Sequence, residues 1–377
     1  MRVALVVCGP FPAFRGSQVL VGHIADGLRS RGHVVRLVTY GGGLDDRPGP
    51  RPVRVLFDAA LLVRLVTLVW RERIDIIHAH NYEAAIAGIV AARLTGRPLV
   101  YHGHSAMADE LPLYASSVTM RRLCARLGRF VDRQVPRQAD FCIAVTDELG
   151  ARLRRVGVRA EALACIEPVA APDDLRPVAD GGEEALVCYA GNLDGYQNLE
   201  FLLATFRRVR TLEPSARLVL VTHADAHANA TRLIAGAPEA GVEIVLAASY
   251  DEVRARLARA TVAVCPRTER SGFPMKLLNY MAEGKAIVAS AGSAKGVVPG
   301  VTGLVVPDGD VDAFAQAVVD LLRDPAARAR LGRAARASVE DRAAWENVLD
   351  RIEAVYHRVT AAPGLAAVRA AVRGVQP

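Results

Sequence analysis

The chain has 377 residues, of which 51% are hydrophobic, and this size and composition favour two globular domains with a sizeable core each. Its formal charge of +7 suits a protein that handles anions. Nucleic acid is not an expected partner, because no aromatic-rich basic platform, zinc-ligand spacing or helix-turn-helix pattern is present. The longest apolar runs, such as 59–69, contain a charge and are shorter than the roughly 20 residues that span a bilayer, so we expect no transmembrane helix.

The start of the chain has one basic residue and a short apolar run that ends in Gly9 and Pro10. This pattern indicates a first buried strand rather than a signal peptide, which needs a longer apolar stretch and a small-residue cleavage site. We therefore expect a cytoplasmic protein. The six cysteines have no C-x-x-C spacing, so we expect buried thiols with neither a disulfide nor a metal.

The first half of the chain alternates short β-branched apolar runs with amphipathic stretches, which is the pattern of βαβ units around a parallel sheet. The predicted strands are 3–7, 34–39, 74–78, 99–102 and 141–145. The predicted helices are 19–29, 84–94 and 119–133. A Gly/Pro-rich break at 41–52 follows the second strand.

A Pro/Asp/Gly-rich stretch after Pro168 is the best candidate for a domain boundary. The same alternation then restarts, with predicted strands at 185–190, 217–222, 243–246 and 262–265 and predicted helices at 199–212 and 250–259. We expect an N-terminal domain over 1–170, a second doubly wound domain over 171–340, a final helix over 341–360 and a disordered tail over 361–377.

The segment 272–290 contains the run Gly-Phe-Pro-Met-Lys-Leu-Leu-Asn-Tyr-Met-Ala and resembles the donor-binding signature of family-4 glycosyltransferases. Other segments resemble the same family in the same order along the chain. They are 31–35, 75–80, 189–193, 302–310, 321–325 and 331–332. The resemblance covers about residues 1 to 360 and is therefore far more specific than any single motif.

The resemblance implies an α/β fold of two facing Rossmann-like, doubly wound domains (GT-B), with a C-terminal helix that crosses back to the first domain. It implies a hexosyl- or related transferase that retains anomeric configuration, needs no metal, and uses a nucleotide-diphosphate sugar as co-substrate rather than a cofactor. The sequence leaves the donor's base and sugar open. The acceptor can be a glycan, a lipid-linked molecule or a small molecule.

Gly191, Asn192 and Gln197 open the second domain, where a strand leads through a glycine loop into a helix. Family members commonly have Arg at the position of Asn192 and Lys at that of Gln197, and these cations neutralise the donor diphosphate. Another cation must supply the charge here, because amide dipoles alone stabilise a diphosphate less well. The candidates are Lys276, Arg267, Arg15 and Lys295. We favour Lys276, since Pro274 indicates a helix start beside it, although it can also be a solvated helix residue.

The family has a pair of glutamates eight residues apart, one for the transferred sugar and one for the ribose hydroxyls. Ser271 and Asn279 occupy those positions, and neither has the strength of a carboxylate, although both can hydrogen-bond a hydroxyl. Glu269 and Glu283 lie near enough in sequence to replace the pair in part. The neighbouring residues expected to bind the donor are Gly272, Phe273, Pro274 and Met275.

Gly16 lies in a turn before a predicted helix, where backbone amides and the helix N-terminus favour an anion. The resemblance places this turn at the donor phosphates and His104 at the transferred sugar. A lone histidine after a strand is more often structural, so the family match carries the catalytic assignment of His104. Tyr82 and Glu110 are candidate acceptor contacts. His78, His80 and His102 are weaker candidates, and we predict no metal among them because this fold class usually works without one.

Arginines recur every third or fourth residue over 121–137, with Leu123, Leu127, Phe130 and Val131 between them. Such a basic amphipathic helix can rest on an anionic membrane that carries a lipid-linked acceptor. A solvated face of a helix that covers the first sheet is the favoured alternative.

Two other functions are weighed against sugar transfer. A nucleotide-dependent oxidoreductase is disfavoured, because no G-x-G-x-x-G follows the first strand of either domain. A non-catalytic GT-B protein that binds or regulates a partner stays open, because both family glutamates are replaced.

Overall fold

The computed structural model describes residues 1–9, 11, 16–41, 52–115, 117–175, 185–223, 241–270 and 272–361. Four sequence predictions therefore lie outside the described residues. They are Arg15, Ser271, most of the Gly/Pro-rich break at 41–52 and the tail from residue 362 onward.

The first domain is built on a parallel sheet with the strand order β2-β1-β3-β4-β5-β6. Its strands are β1 (Arg2–Val7), β2 (Val34–Val38), β3 (Ile76–His80), β4 (Leu99–Gly103), β5 (Phe141–Ala144) and β6 (Leu163–Cys165). Its helices are α1 (Gly16–Ser30), α2 (Pro52–Arg71), α3 (Asn81–Thr95), α4 (Met107–Glu110), α5 (Val118–Gln134) and α6 (Asp147–Arg155). The central strands are buried along their whole length, as expected for a parallel sheet covered by helices on both faces.

The second domain repeats this plan with the strand order β12-β11-β10-β7-β8-β9, again parallel. Its strands are β7 (Leu186–Ala190), β8 (Arg217–His223), β9 (Val242–Ala247), β10 (Val262–Cys265), β11 (Ala286–Ser290) and β12 (Leu304–Val306). Its helices are α7 (Leu199–Leu212), α8 (Tyr250–Arg259), α9 (Met275–Ala282), α10 (Val311–Arg323) and α11 (Pro325–Val339).

Both sheets have a point at which the strand order reverses. In the first sheet the chain runs from β1 out to β2 and returns to β3 on the other side of β1, and in the second it does the same between β7 and β10. Ligands of open α/β sheets bind at such points, outside the carboxyl ends of the strands. The topology alone therefore predicts a ligand site at the loops that follow β1, β3, β7 and β10.

The last helix, α12 (Arg342–Ala361), packs onto the first domain. Trp345, Leu349 and Ile352 are buried in the same hydrophobic cluster as β1 and α1. At its edge, the Arg31 guanidinium contacts Asp350 at 2.7 Å and Glu353 at 2.6 Å. This helix and the two doubly wound sheets confirm the predicted α/β architecture.

Two further findings concern the helices and the cysteines that the structure describes. None of the helices described is long and apolar enough to cross a membrane. The six cysteines all fall within the described residues, and none of them forms a disulfide bond. Three are buried and three are partly buried.

Candidate active site

A cavity of about 590 Å³ lies between the two domains, at the carboxyl ends of both sheets. The predicted catalytic, donor and acceptor residues that the structure describes line it, whereas the alternative candidates Lys295 and Glu283 do not. From the first domain the predicted lining residues are Gly16, Tyr82, His104 and Glu110, and from the second they are Gly191, Asn192, Gln197, Arg267, Gly272, Phe273, Pro274, Met275, Lys276 and Asn279. Ser271 is outside the described residues. The structure thus brings the predicted donor and acceptor residues into one place, and their individual roles stay predictions.

Two helix N-termini, one from each domain, meet at this cavity. Gly16 begins α1 and Met275 begins α9, and a Cβ atom added to Gly16 would lie 3.0 Å from the Met275 side chain. Phe273 and Met275 also pack against the hydrophobic core of the first domain. Because unpaired amides give each helix N-terminus a partial positive charge, the site suits an anion.

Lys276 is oriented by the residues at the positions where the family has its two cations. Its Nζ donates to Gln197 Oε1 at 2.7 Å, and Gln197 Nε2 donates to Asn192 Oδ1 at 3.0 Å. The ammonium also lies 3.8 Å from the centre of the Tyr189 ring. Gly191 makes room for it, since a Cβ there would lie 2.9 Å from Nζ. The two amides therefore hold a lysine supplied by another helix.

The pKa of the Lys276 ammonium is lowered by its surroundings. Burial lowers the pKa of its ammonium to about 7, and the nearby charge on Arg267 acts in the same direction. The amine therefore changes protonation near neutral pH in the empty cavity. An anion bound beside it would favour the protonated form.

Arg267 lines the cavity and is paired with Glu269. Their side chains are paired and buried, and the Arg267 guanidinium lies 5.1 Å from the centre of the Tyr196 ring. The Glu269 carboxylate also accepts from the backbone N–H of Gly272 at 3.2 Å. A Cβ on Gly272 would lie 3.1 Å from the carbonyl oxygen of His104, so glycine permits the close approach of the two domains here.

Glu110 faces this pair from the first domain. Burial raises the pKa of its carboxyl group to about 7, and the negative charge of Glu269 adds to the effect. A carboxyl group with this pKa in a cleft is suited to exchanging a proton or a hydrogen bond with a substrate hydroxyl.

His104 directly follows β4 and belongs to a cluster of four closely packed histidines, of which His78 and His80 lie on β3 and His102 lies on β4. His80 Nδ1 lies 3.0 Å from His104 Nε2, and His78 Nε2 lies 3.2 Å from His102 Nδ1. On its other side, His78 Nδ1 lies 2.7 Å from the hydroxyl of Tyr356 on α12. Burial lowers the pKa of His104 to about 4 and that of His78 to about 3, so the imidazoles are neutral at pH 7. A neutral His104 can hydrogen-bond a sugar hydroxyl without placing a second positive charge in the cavity.

One group of described side chains, His78, His80 and His102, brings three ring nitrogens within 4.8 Å of one another and can be considered as a metal site. Neutral imidazoles are suitable ligands. However, both nitrogens of His78 already have hydrogen-bond partners, in Tyr356 and His102. The arrangement therefore fits a hydrogen-bonded structural cluster that supports His104.

The two domains match two family descriptions. "Glycosyl transferase 4-like domain" matches residues 15–168, and "Glycosyl transferases group 1" matches residues 184–324. The two matches together span most of the chain and divide between the two sheets. The chain belongs to the family-4-type glycosyltransferases of the GT-B fold.

Curated relatives agree with this assignment. The D-inositol 3-phosphate glycosyltransferase of Kribbella flavida is 28% identical over 313 residues, which are 76% of this chain and 72% of the relative. The sulfoquinovosyl transferase of Arabidopsis thaliana is 25% identical, over 86% of this chain and 64% of the relative. The glycogen synthase of Mycobacterium tuberculosis is 27% identical, over 76% of this chain and 69% of the relative.

Solved structures share the fold. Sucrose-phosphate synthase from Thermosynechococcus elongatus has a TM-score of 0.82 at 21% identity, covering 96% of this chain and 99% of that one. HepE of Anabaena, solved in complex with UDP-glucose, has a TM-score of 0.67 at 18% identity, covering 94% of this chain and 100% of that one. These likenesses confirm the GT-B fold of this glycosyltransferase.

Two sequence-based candidates are engaged elsewhere. The Lys295 ammonium pairs with Glu148 on α6, and Lys295 does not line the cavity, so it is not available to a diphosphate there. Glu283 is buried and paired with Arg254, with an Nε to Oε1 distance of 2.6 Å, and so does not replace a family glutamate. Sequence spacing could not reveal either partner, because both pairs form between distant segments.

The structure also adds residues that the sequence analysis did not select. Asp58, Glu83 and Tyr196 line the cavity. Glu83 lies in the first turn of α3, three residues after the carboxyl end of β3, and this position could have identified it. Asp58 lies inside α2 and carries no such signal. Tyr82, which was selected, donates its hydroxyl to the Ser105 carbonyl at 3.2 Å and so supports the loop that follows β4.

We expect removal of metal ions with EDTA to leave the melting temperature and the nucleotide affinity of this protein unchanged. The reason is that the histidine cluster is held by its own hydrogen bonds and by Tyr356. Thermal unfolding and elemental analysis of the purified protein test this. One equivalent of tightly held zinc, whose removal lowers the melting temperature by several degrees, would contradict it.

Proposed function

We propose that this protein transfers a glycosyl group from a nucleotide-diphosphate sugar to an acceptor hydroxyl, with retention of anomeric configuration and without a metal. The observation that carries the proposal is the single cavity in which two helix N-termini and Lys276 converge from both domains. A leaving diphosphate needs such a concentration of fixed positive charge.

The donor side of the proposal rests on the second domain. Lys276 would neutralise the diphosphate in place of the family's Arg and Lys, with Gln197 fixing its direction. Asn279, one turn further along α9, would hydrogen-bond the ribose. The structural neighbour HepE was solved in complex with UDP-glucose, which supports a nucleotide-sugar donor for this chain.

The acceptor side rests on the first domain. His104 would hydrogen-bond the transferred sugar as a neutral imidazole, and an ionised Glu110 would take the proton of the attacking hydroxyl. The acceptor oxygen would attack from the face that the diphosphate leaves. The bond from the anomeric carbon to the diphosphate oxygen would break, and the bond to the acceptor oxygen would form on the same face. The closed contacts at Gly16 and Gly272 would exclude water from this step.

The alternative is a binding protein that keeps the donor site without turnover. The replacement of a family glutamate by Asn279 is the observation that favours it. Such a protein would bind a nucleotide sugar but would release no nucleotide.

The test of the function is a panel of UDP-, GDP- and ADP-sugars combined with glycan, lipid and small-molecule acceptors. We expect one donor class to bind and to release its nucleoside diphosphate, and the anomeric configuration of the product, read by NMR, to match that of the donor. Binding without release from any combination would favour the binding protein. A lack of both binding and release would overturn the proposal.

Replacing Lys276 tests the diphosphate assignment. We expect Lys276→Met to weaken nucleoside diphosphate binding by roughly 10- to 100-fold, the value of a charge-assisted hydrogen bond in a buried site. In the wild type the affinity should also fall as the pH rises above about 7, because the free amine must then take up a proton to bind the anion.

The matched control for that prediction is Lys276→Arg. Its guanidinium stays protonated, so its affinity should lack the fall above neutral pH, and any slope that remains belongs to the nucleotide itself. Calorimetric titrations between pH 6 and 9 measure both proteins. If nucleotide affinity fell equally with rising pH in the wild type and in Lys276→Arg, Lys276 would not be the residue that binds the diphosphate.

Replacing Glu110 tests the acceptor assignment. The carboxyl group can take a proton from the acceptor hydroxyl only when it is ionised, so kcat/KM for the acceptor should rise as the pH increases through about 7. We expect Glu110→Gln to lose that rise and about tenfold or more in kcat/KM, while nucleotide affinity stays unchanged. An unaltered pH profile in the variant would show that Glu110 is not the titrating group.

A further inference from the structure

The helix α5 has its apolar side chains on its outer surface. Met120, Leu123, Leu127 and Phe130, which we call the apolar ridge, fall on one face of the helix and are all exposed. Leu123 is 57% exposed and Phe130 is 62% exposed. An amphipathic helix that only covers a sheet buries its apolar face instead, so the ridge is available to a partner.

The residues that α5 buries are Gly128 and Asp132. A Cβ on Gly128 would lie 2.5 Å from the Cα of Ala108, so the two helices are in backbone contact at this point. The Asp132 carboxylate accepts from the backbone N–H groups of Met107 at 2.8 Å and Ala108 at 3.2 Å, at the start of α4. These contacts fix the rotation of α5 about its axis, and rotating the ridge inward would break them.

A row of arginines runs along α5 beside the apolar ridge. The row consists of Arg122, Arg126, Arg129 and Arg133, all exposed. At 3.6 residues per turn, these side chains fall between the ridge and the buried face. Guanidinium groups next to exposed Leu and Phe match the chemistry of an anionic lipid surface, where headgroup phosphates lie above an apolar layer.

The apolar ridge continues into the cavity between the domains. Leu127 belongs to the ridge and also lines the cavity. Leu111, Tyr114 and Val131 line the same part of the cavity wall, and Glu110 adjoins them. An apolar path therefore leads from the exposed surface of α5 to the carboxyl group assigned to the acceptor.

We propose that the apolar ridge and the arginine row rest on an anionic bilayer, and that the acceptor is an amphiphile held in that bilayer with its hydroxylated head in the cavity. The assignment of the acceptor rests on the proposed function, whereas the contact with the bilayer does not. A bilayer fits the surface better than a second copy of this chain, because self-association would bring two arginine rows together.

Vesicle binding tests the contact directly, with no donor present. We expect the full-length protein to sediment with vesicles of phosphatidylcholine containing 30% phosphatidylglycerol (about one lipid in three), to bind pure phosphatidylcholine weakly, and to be released by salt. Arg126→Gln/Arg129→Gln should weaken binding about 25-fold, taking about fivefold for each arginine. Leu123→Gln/Phe130→Gln should weaken it at least tenfold.

Each of these variants has a matched control elsewhere on the surface. Val298→Gln/Val301→Gln removes two apolar side chains of similar exposure from the second domain, and Arg154→Gln/Arg155→Gln removes two exposed arginines from α6. Both controls should bind vesicles as the wild type does. Thermal unfolding should be unchanged in all four variants, since each changes exposed side chains.

Three outcomes would overturn the bilayer contact. The first is binding that does not depend on phosphatidylglycerol. The second is an equal loss of binding in the α5 variants and in their controls. The third is a wild-type dimer that Leu123→Gln/Phe130→Gln converts to a monomer with no change in vesicle binding, which would assign the ridge to a second copy.

Donor turnover separates the acceptor class from the proposed function. With radiolabelled donor and a phospholipid extract, we expect the label to enter the organic phase, and Leu123→Gln/Phe130→Gln to lower that transfer while nucleotide binding stays intact. Label that appears only in water-soluble products would overturn the amphiphilic acceptor and leave sugar transfer standing. Vesicle binding without any nucleotide binding would overturn the proposed function and leave the bilayer contact standing.

Discussion

Burial of ionisable groups between two closely apposed domains is the constraint on which the site depends. The contacts at Gly16 and Gly272 are tight enough that a single added Cβ would meet an atom across the cleft at 3.0 Å and 3.1 Å respectively. Because the charged form of a group loses solvation there, Lys276 and His104 release protons more readily and Glu110 holds its proton more firmly. The close approach of the two domains therefore shifts the protonation of the groups inside the cavity.

This protonation has a consequence for binding. Lys276 and Glu110 both have a pKa of about 7, so near neutral pH each of these two side chains is only partly charged before a ligand binds. A diphosphate bound at α9 would restore the charge on Lys276, and its negative charges would oppose ionisation of Glu110 unless they were neutralised. In the proposed function, cation and diphosphate would therefore pair first, and the carboxylate would then become available to the acceptor hydroxyl.

The sequence was sufficient to predict the architecture and to select residues that line one cavity, and insufficient to predict the partners of individual side chains. Buried parallel strands are visible as β-branched apolar runs, and Pro274 correctly indicated the start of α9 near Lys276. The hydrogen bond from Lys276 to Gln197 joins segments 79 positions apart, and the one from His78 to Tyr356 joins segments 278 apart. No periodicity encodes such pairs, which is why Lys295 and Glu283 were considered for a site that they do not reach.

For the helix α5 the sequence predicted an amphipathic helix, but it could not predict which face of that helix is buried. A pattern of Leu, Phe and Arg fits a helix whose apolar face is buried as well as one whose apolar face is exposed. Gly128 allows backbone contact with α4, so the face that carries Gly128 is buried and the apolar ridge is exposed. Since α4 begins at the groups held by Asp132 and ends at Glu110, the helix that carries the ridge also positions the carboxyl group that we propose for the acceptor. A surface bound to α5 would thus lie at a fixed distance from the reacting group, which a lipid-borne hydroxyl requires.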